Sequence, residues 1–356
     1  MSTSDVDAAI ARSLAATASA TAPAHPGSSD ILEPLAHFAT KGKRLRARLL
    51  LASHSAHGGT AHHTAVDVAA AVELFQTAAL VHDDVLDSAD TRRGDTTIHR
   101  SREAMHRRER WVGDSAHFGV SAAVLAGDLA LMAANRAVGA AAASLGHEHG
   151  VRVVNLFADM AELCTAGQYL DMRVAAQPVE SLPQQHADVM AVMRSKTASY
   201  TAEFPLALGA AVAGASDHAV AAMRAVGVPL GIAFQLRDDI LGLVGAPEVT
   251  GKPAGDDIRE GKRTVLMVHA WNRADAAARD VLSLAFGHAD ATAQQISEAV
   301  AIAVGLGAVE HAESQIRDLV SECRIALESA ISAGEVHPGA LAELEALITA
   351  TTERAA

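Results

Sequence analysis

Along most of the chain, apolar residues recur three and four positions apart, and nowhere do they alternate with polar ones over the length of a strand. This period predicts a helix over 30–39, a second opened by GKRLRARLLL with Gly42 near its start, and a long third over 64–87. Stretches at 115–144 and 150–174 read as helices. So does 184–214, where Pro205 removes an internal hydrogen bond and predicts a kink. Residues 217–244 follow, with a bend expected at Pro229 and Gly231, then a loop rich in Gly, Pro and Asp from Gly245 to Gly261. The remaining helices are expected over 262–285, 291–306, 308–332 and 338–353. Two stretches lack the pattern. Residues 1–29, rich in Ala, Ser and Thr, read as a mobile segment with a weak helix near Asp5 to Ala16. Residues 92–114 are charged and aperiodic, and read as a surface connection. No linker divides the rest, so 30–356 is expected to form one all-α domain.

Composition narrows the function. Aromatics are only 3% of residues while Ala, Leu and Val dominate, which favours closely packed helices over a sandwich or barrel. The net charge is -13 with His neutral and no lysine-rich block appears, so nucleic acid is not an expected partner. Cys164 and Cys323 make neither a disulfide framework nor a zinc spacing, which suits a reducing compartment. His54, His57, His62 and His63 surround Gly58 and Gly59 and read as a solvated loop. No apolar run reads as long enough to span a bilayer, and residues 1–30 lack the basic start and apolar core of a secretory signal. A soluble, cytoplasmic protein is expected.

The chemistry gathers at the end of the 64–87 helix, in ELFQTAALVHDDVLDSADTRRGDTT. Asp83 and Asp87, four residues apart, share a helix face about 6 Å apart along the axis, with Asp84 beside them. Gln76 lies two turns earlier on that face. Carboxylates so crowded repel unless a cation sits between them, and magnesium held by one or two carboxylates usually brings a phosphate. Arg92 and Arg93, just beyond, carry fork-shaped donors for such a group. A second pair, Asp238 and Asp239, follows Gln235 in FQLRDD, and the loop after it carries Lys252, Asp256, Asp257 and Lys262. Two acid-tipped helices, each trailed by bases, would hold several magnesium ions around one diphosphate if they faced each other.

The ordered set GKRLR (42–46), DDVLD (83–87), RRG (92–94), GQYLD (167–171), KTA (196–198), FQLRDD (234–239) and GKPAGDDIREGK (251–262) resembles the trans-isoprenyl diphosphate synthases, the polyprenyl synthetase family. The resemblance covers roughly residues 30–350. It implies antiparallel helices around a central cavity, a homodimer, and head-to-tail condensation of isopentenyl diphosphate with an allylic diphosphate. It further implies about three magnesium ions per site, with Asp83 and Asp87 on two of them supported by Asp84, and Asp238 on the third with Asp239 and Asp257 behind it. Arg92, Lys196, Lys252 and Lys262 would grip the allylic diphosphate. Gly42, Lys43, Arg46, Gln76 and Arg93 would form a metal-free pocket for isopentenyl diphosphate. The Thr197 hydroxyl, the Lys196 carbonyl and the Gln235 amide oxygen would face the cation, and Gln168 and Asp171 would line the cavity. One departure stands out: Gly242 occupies the place where many members carry a third aspartate.

Product length should depend on the residues upstream of Asp83. Ala78 and Ala79 are small enough to let a farnesyl chain pass, and Phe75, roughly 12 Å up the axis, could stop a longer one. A geranylgeranyl product is expected, with farnesyl or longer polyprenyl products as alternatives. A class I terpene cyclase would carry a different second motif, and a non-catalytic subunit would tend to lose the acids.

Overall fold

A computed structural model of the chain describes residues 2–24, 26–245 and 254–353. These are helical apart from one two-residue hairpin. Helices α1 to α6 span Thr3–Thr21, Ser29–Ala39, Leu45–Ala56, His62–Leu86, Ile98–Arg108 and Ser115–Ala142, with strands β1 (Thr91–Arg92) and β2 (Asp95–Thr96) after α4. Then come α7 (His147–Ala175), α8 (His186–Val192), a π-helix over Met193–Glu203, α9 (Phe204–Val212) and α10 (Asp217–Val244). The rest is α11 (Asp256–Glu260), α12 (Val265–Arg273), α13 (Ala276–Ala285), α14 (Ala293–Gly305), α15 (Ala308–Ser332) and α16 (Leu341–Thr352).

The chain divides into two compact units, Met1–Ala158 with Pro205–Ser216, and Asp159–Phe204 with Asp217–Ala356. In the first, α4 is the central element and packs against α6, α3 and α1. Its apolar positions run nearly all round, and Ala65, Val68, Ala69, Ala71, Val72, Leu74 and Ala78 are all inaccessible to solvent. The second is built on α10, which packs against the π-helix and α15. Its core joins Leu236, Ile240, Val265, Leu266, Trp271, Leu282 and Ile316.

Four differences from the sequence reading have simple causes. Residues 3–21 form a helix, where a mostly mobile segment is expected. Ser2 and Asp5 close a capping box, and Val6, Ala9, Ile10 and Leu14 are buried at helical spacing. Residues 98–108 are a helix rather than a surface connection. Its buried positions are Ile98, His99, Glu103, Met105 and His106, so a largely polar face is turned inward and the apolar period is missing. Glu103 is paired there with Arg100 and Arg107. The kink expected at Pro205 is replaced by the π-helix, whose wider turn ends just before the proline and closes with a bond from Phe204 N to Ser199 O. By length and composition, α4, α6 and α10 are also long and apolar enough to cross a membrane, against the sequence reading; small alanines carry much of that apolarity. Of the most apolar stretch, α4 buries 78%, α10 67% and α6 only 33%.

The histidines around Gly58 and Gly59 are not one solvated loop. His54 is fully buried on α3, edge-on to His62 at 5.6 Å. Burial, and then the charges of His62 and His57, push His54 down to about 4. The unfolded chain, with an ordinary histidine, therefore binds more protons between about pH 6.5 and 4, and stability is lost as pH falls through that window. At pH 5 the loss amounts to about 2 kcal/mol relative to pH 7. His54→Leu should flatten this part of the stability-pH curve, which urea unfolding at pH 7 and pH 5 would measure.

Candidate active site

In the first unit the RRG turn distributes two arginines. Thr91 pairs with Thr96 and Arg92 with Asp95, leaving Arg93 and Gly94 as a two-residue turn with φ of 53° and 80°. Both values are positive, the geometry of a type I′ hairpin, which accounts for the glycine. Arg92 turns back to α4, with its Nε 2.6 Å from Asp84 Oδ1 and its Nη2 3.6 Å from Asp83 Oδ2. Burial lowers the Arg92 pKa, but Asp84 and Asp83 outweigh it and the net shift is upward, so the charge is held. Arg93 turns the other way and donates to the Lys41 carbonyl at 2.7 Å.

Beside it lies the GKRLR segment. Gly42 has φ 128°, and a Cβ there would come within 3.1 Å of the Arg93 guanidinium. Arg44, in the left-handed region at the start of α3, anchors the segment through Asp7 at 2.7 Å and the Ala39 carbonyl at 2.8 Å. Arg46 is buried, Lys43 is exposed and Gln76 is half-buried. Desolvation, then Arg46 and Arg92, lower the Arg93 pKa, with Glu73 opposing them. This is a concentration of positive charge suited to an anion. Along α4, Asp83 is half-buried, Asp84 buried and Asp87 exposed. Phe75 and Ala78 are buried, Ala79 is half-buried, and Phe75 meets Phe157 edge-on at 6.2 Å.

The second unit assembles a different set. The Thr197 hydroxyl donates to Gln235 Oε1 at 2.7 Å, and Gln235 Nε2 donates to Asp239 Oδ1 at 2.7 Å. Lys262 Nζ bonds the same Asp239 oxygen at 3.1 Å and lies 3.7 Å from Asp257 Oδ2. Burial works against the Lys262 charge, but Asp257, Asp239 and then Asp171 raise its pKa well above the lysine range. Lys196 Nζ donates to Asp171 at 2.6 Å, and the Lys196 carbonyl accepts from Cys164 Sγ at 3.3 Å. The π-helix carrying Lys196 and Thr197 is approached closely from two sides. A Cβ on Gly167 would lie 2.7 Å from Lys196 Cα, and one on Gly231 would lie 2.7 Å from the Ala198 Cβ. Gln168 and Asp238 are half-buried, and Lys252 lies outside the described residues. Among the described residues, no three His, Cys, Asp or Glu side chains gather as a ready-made metal cage.

The polyprenyl synthetase family model matches residues 28–303. The chain belongs to the polyprenyl synthetase family. It is a prenyltransferase. It is 33% identical over 285 residues to the geranylfarnesyl diphosphate synthase of Aeropyrum pernix, covering 80% of this chain and 82% of that one. It is 34% identical to the geranylgeranyl diphosphate synthase of Mycobacterium tuberculosis, covering 74% and 68%. Among solved structures, the geranylgeranyl pyrophosphate synthase of Corynebacterium glutamicum, complexed with isoprenyl diphosphate and magnesium, aligns with a TM-score of 0.89 at 36% identity, over 98% of each chain.

Two residues of this prenyltransferase's clusters escape a motif reading. Glu73 is buried, accepts from Ala47 N at 3.1 Å and lies 3.6 Å from Arg44, so it braces the start of α3 from α4. Cys164 meets the Lys196 carbonyl from α7. Neither carries a sequence signal beyond a polar residue on an apolar helix face. The Arg92–Asp84 pair is the strongest link at the acid motif, because one partner is only 2% exposed. Arg92→Leu takes the guanidinium from that buried carboxylate and should cost about 3 kcal/mol. Arg92→Lys keeps the charge without the fork and should cost about 1 kcal/mol. Denaturant midpoints of the two variants would check the order.

Proposed function

We propose that the chain condenses isopentenyl diphosphate head-to-tail with an allylic diphosphate, that it uses about three magnesium ions, and that its main product is geranylgeranyl diphosphate. Residues 30–356 act as one isoprenyl diphosphate synthase domain, as the run of motifs along the whole of that stretch supports. The observation that carries this reading is the divergence of Arg92 and Arg93 through one turn. One arginine is committed to the carboxylates and its neighbour to a cationic group with no acid motif beside it, as two differently bound diphosphates require.

The donor set fits the metal. Asp83, Asp84, Asp87, Asp238 and Asp239 offer hard oxygen donors without a closed cage, and magnesium is usually held by one or two carboxylates with water and phosphate oxygens completing its shell. Asp83, Asp87 and Asp238 would hold the ions, with Asp84, Asp239 and Asp257 behind them. When bound, magnesium supplies neutralisation of charge on the departing pyrophosphate. The protein does the rest. Arg92, Lys196, Lys252 and Lys262 bind the allylic diphosphate; Lys196 is aimed by Asp171, and Lys262 is kept charged and aimed by Asp239 and Asp257, until the ligand arrives. Gly42, Lys43, Arg46, Gln76 and Arg93 bind isopentenyl diphosphate. The Gln235 amide oxygen, oriented by Thr197, and the Lys196 carbonyl stabilise the allylic cation without trapping it, while Gln168 lines the cavity. Carbon–carbon bond formation consumes the cation, and the released pyrophosphate takes the last proton.

The protein acts as a homodimer in the cytoplasm. Val120, Val124, Leu125 and Met132 form an exposed apolar face on α6 that a second copy would cover, and Cys164 and Cys323 are not disulfide-bonded. Phe75 sets the product length from below Ala78 and Ala79; relatives of C20 and C25 name support a product in that range.

Purified protein with magnesium, isopentenyl diphosphate and farnesyl diphosphate should release pyrophosphate and a C20 diphosphate. A hydrocarbon product would instead identify a cyclase, and no reaction a non-catalytic subunit. Asp83→Ala should lower turnover by about 100-fold or more. Chromatography should show shorter products from Ala78→Phe and longer ones from Phe75→Ala; unchanged lengths in the second variant would leave Phe75 a core residue only.

A further inference from the structure

One ion-pair cluster of the second unit has no part in the chemistry above. Glu203, the last residue of the π-helix, is only 1% exposed. Arg194, near the other end of that helix, donates to its carboxylate through both Nη atoms, at 2.5 and 2.8 Å. Arg224 of α10 donates to it through Nε at 2.9 Å and holds its guanidinium 4.8 Å from the centre of the Phe204 ring. Arg194 and Glu203 lie nine positions apart. On an α-helix nine residues make about two and a half turns and about 13 Å of rise, which puts the two side chains on opposite faces. The i→i+5 bonds of a π-helix put more than four residues in a turn, so nine residues make about two full turns and return to one face. The fork between Arg194 and Glu203 thus closes on a wide turn and not on a regular helix.

The same contact runs back to the reacting groups. Arg224, Gly227, Gly231 and Gln235 follow one another at helical spacing on α10. A Cβ on Gly227 would lie 2.4 Å from Glu203 Cα, one on Gly231 would lie 2.4 Å from Ala198 Cα, and Gln235 takes the Thr197 hydroxyl. We infer that Arg194, Glu203 and Arg224 are positioning residues: their clamp keeps the π-helical turn wide, and so aims the Lys196 carbonyl and the Thr197–Gln235 pair at the allylic cation. The inference rests on the condensation reading proposed above. Without the fork the segment would relax towards an α-helix, and the Lys196 carbonyl would turn off Cys164 Sγ, which now donates to it.

Arg194→Met removes the fork and leaves Glu203 paired with Arg224, so no buried charge is stranded. Two measurements test it. Steady-state kinetics should show kcat about tenfold lower, with the KM for isopentenyl diphosphate within about twofold of the parent protein. Labelling of the folded protein with N-ethylmaleimide, followed by peptide mass spectrometry, should show Cys164 reacting about tenfold faster while the fully buried Cys323 stays slow. Arg194→Lys keeps the charge without the fork and should fall between the two proteins in both measurements. If Arg194→Met does not fold, Glu203→Gln, which keeps the shape of the side chain, carries both. Either readout staying at the parent value, or Cys164 and Cys323 speeding up together, would overturn the inference alone. A parent protein without turnover would overturn the condensation reading on which it rests.

Discussion

Carboxylates cannot be crowded without something to hold their charge, and both acid motifs of this protein meet that constraint with a cation built into the same unit. Arg92 binds Asp84 and approaches Asp83. Lys262 lies between Asp239 and Asp257, and Lys196 is fixed by Asp171. In each case the fixed cation is also a candidate ligand for a diphosphate. The same charge that keeps the acids compatible with folding is thus stored where an anionic substrate will need it, and Lys262 is raised rather than lowered in pKa despite its burial.

Backbone irregularities place these groups. A regular helix from 184 to 214 would carry Lys196 and Thr197 on a uniform surface. The π-helix widens the turn that bears them, and Gly167 and Gly231 let α7 and α10 approach its backbone closely. The type I′ turn at Arg93 and Gly94 sends consecutive arginines to different partners, which a helix or an extended strand would not do within one pair of residues at this spot. Positive φ values at Gly42, Arg44, Arg93 and Gly94 fall where ligands would be handled, while α4 and α10 bury most of their apolar length.

The motifs were legible because they are short and their order is informative. DDVLD, RRG, KTA and FQLRDD name most of the charged groups that the structure gathers, and the apolar period locates α4, α6, α7, α10 and α15 to within a few residues. The period fails where burial is polar. His54 is buried among histidines that read as a loop, and α5 turns His99, Glu103 and His106 inward. Helix α1 fails for the opposite reason: its buried stripe of Val6, Ala9, Ile10 and Leu14 is diluted by Ala, Ser and Thr, so composition masks the spacing.

Sequence alone determined the helical class, the family and the identity of the acids and bases, because these depend on local spacing and on side-chain chemistry that each residue carries with it. Only the tertiary structure decided which acid belongs with which base. Asp171 with Lys196, Asp239 with Lys262, and Asp257 against Gly242 join residues 15 to 25 positions apart, contributed by separate elements. Such pairings depend on how helices pack and where turns send their side chains, and no local pattern encodes that.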